Sequence, residues 1–175
     1  MGVNWIDRVC IFRKGIRRHM DKQEFTRRVL AVEGRLYRIS CSMLREPQDR
    51  MDAVQEAVLK AWQNLSRLRR EEYFETWLTR ILINECHNIQ NARRRSAPLE
   101  LDAERAAPSE DGNRALRDAL ARLDEALRLP LLLCYMEGYR VREVARILRI
   151  PEGTVKSRIA RGKSKLKALL EEGDR

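Results

Sequence analysis

The sequence predicts an all-α protein made of two small helical domains joined by a flexible linker. Apolar residues recur every three or four positions through almost the whole chain, and no segment shows the sustained alternation of a strand. Between residues 96 and 112, two prolines, a glycine and five acidic residues occur without a large aromatic side chain, which favours a flexible linker. The 175 residues are enough for a modest core on each side of it.

The first domain is expected at residues 21–95 and contains three amphipathic helices. Apolar residues from Phe25 to Met43 step by four and three positions, which predicts one long helix before Pro47. Asp49 is the expected N-cap of the second helix. The side chains expected on the buried faces of the second and third helices are Val54, Val58, Trp62, Leu65, Phe74, Trp77, Leu78, Ile81 and Leu82. Three such helices can close a small bundle.

The second domain is expected at residues 113–172 and contains a helix-turn-helix pattern. Leucines at helical spacing begin the domain, and the helical pattern continues to Gly138. A short amphipathic stripe then ends at Leu148, a turn follows at 149–151, and a second stripe begins at Val155. Two helices at this spacing are typical of the motif whose second helix lies in the DNA major groove.

The positive charge is concentrated in this second domain. The formal charge of the chain is +10, and residues 140–167 hold ten basic and two acidic side chains. A strongly basic segment on a nearly neutral body indicates binding to a polyanion, whereas an ordinary helical hairpin would carry more glutamates for pairing. The side chains expected to face outward, which we call the recognition-helix set, are Thr154, Lys156, Ser157, Arg158 and Arg161. Short hydroxyls and long cations contact phosphates and base edges.

A second polar row lies on the third helix of the first domain, opposite its aromatic residues. The row steps by four, three and four positions and consists of Arg80, Asn84, His87 and Asn91. A run of three arginines at 93–95 extends it. Arg, Asn and His donate to phosphates and base edges, whereas a solvated helix face is usually rich in Lys and Glu. The row therefore indicates a second contact with nucleic acid.

The sequence carries no signature of a membrane span, a metal centre or a catalytic motif. Its longest apolar run is far shorter than the roughly 18 to 20 residues of a span, and the N-terminus lacks a secretory signal. Four cysteines are scattered without metal-ligand spacing, so we expect no cofactor, no metal, no disulfide framework and a reduced, cytoplasmic location. Without a phosphate-binding glycine loop, H-E-x-x-H or G-x-S-x-G, we expect no enzyme and no small-molecule substrate.

Residues 1–20 stand apart as an N-terminal extension. An apolar stripe from Trp5 to Ile16 is flanked by basic residues, and such a stripe can rest on an anionic membrane or on a partner. The alternative, which we favour, is that translation starts at Met20, because the family-like pattern described next begins directly after it.

Three segments resemble parts of one known family. The segment from Ile150 to Leu166 reads I-P-E-G-T-V-K-S-R-I-A-R-G-K-S-K-L, and it resembles region 4 of bacterial sigma-70 factors of the extracytoplasmic-function group. The segment at 52–62, D-A-V-Q-E-A-V-L-K-A-W, resembles region 2.2. The segment at 74–84, F-E-T-W-L-T-R-I-L-I-N, resembles regions 2.3 and 2.4. Since the resemblance covers about residues 22–170 in the expected order, the chain is identified as a member of this family.

The resemblance implies a function and three groups of contact residues. A sigma factor binds core RNA polymerase, directs it to promoters and helps open the duplex. The recognition-helix set would then read the −35 promoter element. The residues implied for the −10 element, which we call the −10 set, are Asn64, Ser66, Arg67, Arg80, Asn84, His87, Asn91 and Arg94. Those implied for the clamp coiled coil of the largest polymerase subunit, the polymerase set, are Asp49, Asp52, Gln55, Glu56 and Lys60.

The resemblance also implies details at single positions. The loop at 64–72 is expected to capture one base of the opened strand. An anti-sigma protein is expected as a further partner. Arg149 stands where the family usually has glycine, and Gly162 falls inside the recognition helix, where glycine costs about 1 kcal/mol relative to alanine. A stand-alone helix-turn-helix regulator is the alternative, and it would bind its DNA site without polymerase.

Overall fold

The computed structural model describes residues 20–96 and 114–173, which form helices and turns without strands. This confirms the predicted all-α class. The predicted extension before Met20 and nearly all of the predicted linker at 96–112 lie outside the described residues. Among the helices that the structure describes, none is long and apolar enough to cross a bilayer.

The N-terminal domain consists of a three-helix bundle. Helix α1 spans Lys22–Met43, α2 spans Pro47–Gln63 and α3 spans Phe74–Ser96. Two short 3₁₀ turns, Leu65–Arg67 and Glu71–Tyr73, connect α2 to α3. All three helices contact one another around a common apolar core.

Helix α1 follows the predicted stripe closely. The Asp21 carboxylate accepts a hydrogen bond from the Glu24 backbone N–H at 2.8 Å, which caps the first turn. Leu36 and Ile39 are fully buried at the centre of the bundle. Burial of each side chain of this size stabilises the fold by about 1.5–3 kcal/mol relative to exposure.

Helix α2 differs from the prediction in its start and in its buried face. It begins at Pro47, with Glu46 as N-cap, because proline has no N–H to lose in the first turn. Asp49 therefore lies inside the first turn, and its expected role as N-cap is wrong. The fully buried apolar side chains are Ala53, Ala57 and Ala61, whereas Val54, Val58 and Trp62 lie half-buried beside them. Small alanines allow α2 to approach its neighbours closely, so the stripe is offset by one residue.

The aromatic residues form part of the core, as the sequence predicted. The Phe25 ring contacts Trp62 at 5.0 Å and Phe74 at 5.6 Å between centroids, both edge-to-face. Phe74 is 1% exposed. Such pairs add about 0.5–1.5 kcal/mol beyond their buried area. The cluster fixes the point where α3 begins, close to the predicted base-capturing loop.

The C-terminal domain contains four helices in the described range. These are α4 at Arg114–Ala121, α5 at Glu125–Leu131, α6 at Val141–Leu148 and α7 at Glu152–Gly173. A π-helical turn, Leu132–Met136, extends α5. It follows Pro130, which has no N–H to donate within the helix, and Gly138 with φ +74° ends the segment.

Two positions that depart from the family pattern have clear geometry. Arg149 lies in the turn between α6 and α7 with φ 56°, the left-handed region that costs a non-glycine residue about 1 kcal/mol. Gly162 lies where α7 crosses α5, and a Cβ there would stand 2.8 Å from the Leu131 Cδ1 atom. The glycine in the recognition helix therefore allows α7 to lie close to α5.

Candidate nucleic-acid interface

The recognition-helix set occupies one side of α7, and its opposite side faces the core. Val155 and Ile159 are buried against α6 and α5, and they hold the helix in place. Lys156, Ser157 and Arg161 are exposed, while Thr154 and Arg158 are partly exposed. Thr154, Ser157, Arg158 and Arg161 are linked by steps of three or four positions and share one face of the helix, and Lys156 lies beside that face.

The cations of this surface have no acidic partner in the part of the chain that the structure describes. No described carboxylate lies within ion-pair distance of Lys156, Arg158 or Arg161. The Ser157 hydroxyl donates to the Thr154 carbonyl at 3.0 Å and is held close to the helix backbone. The surface therefore presents unneutralised positive charge, which attracts a phosphate backbone.

The −10 set on α3 is divided into an open half and a covered half. Asn84, Asn91 and Arg94 are exposed. His87 Nε2 lies 2.8 Å from the Glu125 Oε1 atom of the C-terminal domain, and Arg80 is half-buried. The His87 contact lowers the pKa of the Glu125 carboxyl to about 2, against the opposing effect of burial. Burial, with the nearby Arg149 charge, lowers the pKa of the Arg80 guanidinium.

The remaining members of the −10 set lie in the connector between α2 and α3. The Asn64 side-chain amide donates to the Lys60 carbonyl at 2.9 Å and closes the end of α2. Ser66 and Arg67 are exposed. Beside them, the connector and α3 border a cleft of about 250 Å³, whose walls include Tyr73 and Trp77. The connector at 64–72 therefore flanks a cleft with aromatic walls, and its role in capturing a base stays a prediction.

The polymerase set is divided between the side of α2 that faces away from the buried alanines and the edge that contacts α3. Asp52, Gln55 and Glu56 are exposed. Asp49 accepts from Arg93 of α3 at 2.8 Å, and Lys60 donates to Glu85 of α3 at 2.6 Å. The contact with Glu85 raises the pKa of the Lys60 ammonium. Two of the five predicted residues thus tie α2 to α3, while three are open to a partner.

The two domains contact each other through residues that the sequence interpretation did not single out. The Glu137 carboxylate, 1% exposed, accepts from the Arg38 guanidinium of α1 at 2.7 Å. The Tyr139 and Thr79 hydroxyls lie 2.8 Å apart. A glutamate directly before a glycine turn is ordinarily a solvated residue, so only the burial of Glu137 reveals its role.

The structure gives no sign of a metal site in the residues it describes. No cluster of three or more metal-binding side chains occurs there. Burial raises the pKa of the Cys86 thiol to about 12, which keeps the sulfur protonated beside His87.

Comparison with known proteins assigns both domains to one family. Residues 29–97 match the family model for sigma-70 region 2, and residues 113–166 match the model for sigma-70 region 4. The ECF RNA polymerase sigma factor SigM of Mycobacterium tuberculosis is 36% identical over 140 residues, which cover 77% of this chain and 71% of the relative. The chain belongs to the extracytoplasmic-function (ECF) group of the sigma-70 family.

Further relatives support the assignment over most of the chain. The ECF sigma factor SigW of Bacillus subtilis is 28% identical over 171 residues, covering 86% of this chain and 90% of SigW. The sigma factor RpoE of Bartonella quintana, solved in complex with the anti-sigma factor NepR, aligns with a TM-score of 0.73 at 25% identity, covering 85% of this chain and 98% of that one.

This ECF sigma factor directs RNA polymerase to promoters for the initiation of transcription.

Proposed function

We propose that the recognition-helix set reads the −35 element and that the −10 set reads and opens the −10 element. Under this proposal, region 4, which carries the recognition-helix set, spans residues 113–172, and region 2, which carries the −10 set, spans residues 21–95. The observation that carries this proposal is the group of cations on α7 that have no acidic partner among the described residues, on a helix whose other side is buried in the core. A helix held this way presents a fixed row of donors to the major groove.

The same proposal assigns the polymerase set to core RNA polymerase. Asp52, Gln55 and Glu56 form an exposed, partly acidic patch on α2. Such a patch complements a basic helical surface, and complementary charge speeds association and fixes orientation. The two tied residues, Asp49 and Lys60, contribute by holding α2 on α3.

Three finer statements belong to this proposal. The protein acts in the cytoplasm, where its DNA and polymerase are found. It supplies no catalytic step of its own, since initiation chemistry belongs to polymerase. An anti-sigma protein restrains it, as NepR accompanies the Bartonella quintana sigma factor in the solved complex.

A stand-alone regulator is disfavoured because region 2 accompanies the helix-turn-helix. The test that separates the two functions is run-off transcription with purified core polymerase across a promoter library. We expect specific starts only when the chain and core are both present.

The residue assignment is tested in the same assay with variants of α7. R158A and R161A should each weaken use of the −35 element by about 1–3 kcal/mol. K167A is the matched control, because Lys167 is exposed on the same helix, faces Glu171 and lies outside the set. Equal losses in all three variants, or no loss in the first two, would contradict the assignment.

A further inference from the structure

A cleft between the two domains is lined by an excess of arginines. Its volume is about 250 Å³, and its lining includes Arg67, Arg69, Arg70 and Arg80 from the N-terminal domain and Arg146 from α6. Among these, only Arg70 has a carboxylate within ion-pair distance in the described residues, namely Glu72 at 3.4 Å. Like charges that line one cleft repel one another, and an anion bound between them would relieve that repulsion.

Arg146 is held in a position that leaves its donors available. Its guanidinium carbon lies 4.6 Å from the centre of the Tyr73 ring. Stacking of this kind engages the face of the guanidinium plane and leaves its N–H edge free to donate. The same edge geometry makes arginine suited to phosphate oxygens, which it binds through two parallel hydrogen bonds.

Arg80 supplies the second observation. It is half-buried, and no described side chain accepts a hydrogen bond from it. Arg149 of the turn before α7 is close enough to repel its charge. A cation that is partly removed from water, faces another cation and lacks an acceptor marks a place where a negative group would be stabilised.

We propose that this cleft binds an oligophosphate anion, such as the phosphate chain of a nucleotide, and that the anion holds the two domains in the arrangement of the structure. The site needs arginines from both domains, so the anion binds only while they are in contact. By linkage, it stabilises that contact. Because Arg67 and Arg80 belong to the −10 set, a bound anion also excludes the −10 strand; this consequence rests on the proposed function.

The binding is tested with the full chain and sodium tripolyphosphate, in calorimetry at fixed ionic strength with sulfate as the reference anion. We expect one tripolyphosphate per chain and weaker binding of sulfate. R146Q should weaken tripolyphosphate binding at least tenfold, and R146K should lie between, since lysine keeps the charge but loses the paired donors. R142Q is the matched control, because Arg142 is exposed one turn earlier on α6 and does not line the cleft.

Two results would overturn the proposal. Equal weakening in R142Q and R146Q would mean diffuse attraction to a basic surface. If R146Q weakens the binding of a single-stranded −10 oligonucleotide as much as it weakens the binding of tripolyphosphate, the ligand of the cleft is the promoter strand and not a free oligophosphate.

Small-angle scattering supplies an independent readout, since the anion should reduce the radius of gyration of wild type and not of R146Q.

Promoter-complex formation with core polymerase, measured without nucleotides, separates this proposal from the proposed function. Tripolyphosphate should inhibit complex formation by wild type and have a much smaller effect on R146Q. If both proteins form promoter complexes and tripolyphosphate affects them equally, the anion site is wrong and the sigma function stands. If neither forms a complex while the cleft still binds tripolyphosphate, the proposed function is wrong.

Discussion

The two faces assigned to DNA differ in their surroundings. The recognition-helix set on α7 is open, and its cations have no acidic partner in the described residues. The −10 set on α3 is partly covered by the C-terminal domain, where Glu125 contacts His87 and Arg146 stacks beside the connector. Under the proposed function, the α7 surface can meet DNA in this arrangement, whereas the covered part of the α3 surface becomes accessible only when the domains separate.

The largest expected effect concerns the Phe74 ring at the start of α3, and it tests whether this ring packs in the core or stacks on an unpaired base. F74A removes a ring that is 1% exposed and should destabilise the N-terminal domain by about 3–5 kcal/mol. The measurement is chemical unfolding followed by circular dichroism. A variant that keeps wild-type stability while losing promoter opening would instead make Phe74 a base-stacking residue of the open face.

The next effect concerns the crossing of α7 with α5 at Gly162, which holds the recognition helix in place. G162A should destabilise the C-terminal domain by about 1–3 kcal/mol, because the new Cβ would stand 2.8 Å from Leu131 Cδ1 and 3.3 Å from the Leu127 carbonyl oxygen. G153A is the control, since nothing lies within 4 Å of a Cβ there. Equal unfolding midpoints for the two variants would show that α7 does not cross α5 as closely as described.

A smaller effect tests the contact between His87 and Glu125, which covers part of α3, through the pH dependence of the free energy of unfolding. The Glu125 carboxyl has its pKa lowered to about 2 by His87, so its stabilising effect is complete above about pH 4.5 and is lost as pH falls towards 2. Since His87 is 42% exposed, solvent reduces this effect to about 1–2 kcal/mol. The difference in unfolding free energy between wild type and E125Q should vanish across that range. A difference independent of pH would contradict the pairing.

The smallest effect is stabilising and concerns the turn that lies near both faces. R149G should stabilise the C-terminal domain by about 1 kcal/mol, because glycine adopts φ 56° without the steric cost. R149K keeps both the charge and the cost, so it should match wild type. Thermal unfolding measures the difference. A stability gain in R149K equal to that of R149G would show that backbone conformation is not the cause.

The sequence predicted the helices well because their buried faces repeat with clear spacing. The stripe from Phe25 to Met43 became α1, and the stripe around Val155 became α7. On α2 the prediction chose large apolar residues, but close packing buried Ala53, Ala57 and Ala61 instead. The size of the residue that fits at a helix crossing depends on the partner helix, and the apolar pattern along one helix carries no information about that partner.

Contacts between the domains could not be predicted in the same way. Glu137, Arg146 and His87 are polar residues that ordinarily face solvent, and their partners lie between 38 and 99 residues away along the chain. Only a fold that brings α5 and α6 against the N-terminal bundle reveals them. The residue-level roles of the recognition-helix, −10 and polymerase sets stay predictions.

The measurement that bears most directly on the central claim is DNA protection on a responsive promoter by the chain alone, by core polymerase alone and by both together. The account predicts protection around the −35 and −10 elements only when chain and core are combined. A specific footprint of comparable strength from the chain alone would contradict it and make the protein a stand-alone DNA-binding regulator.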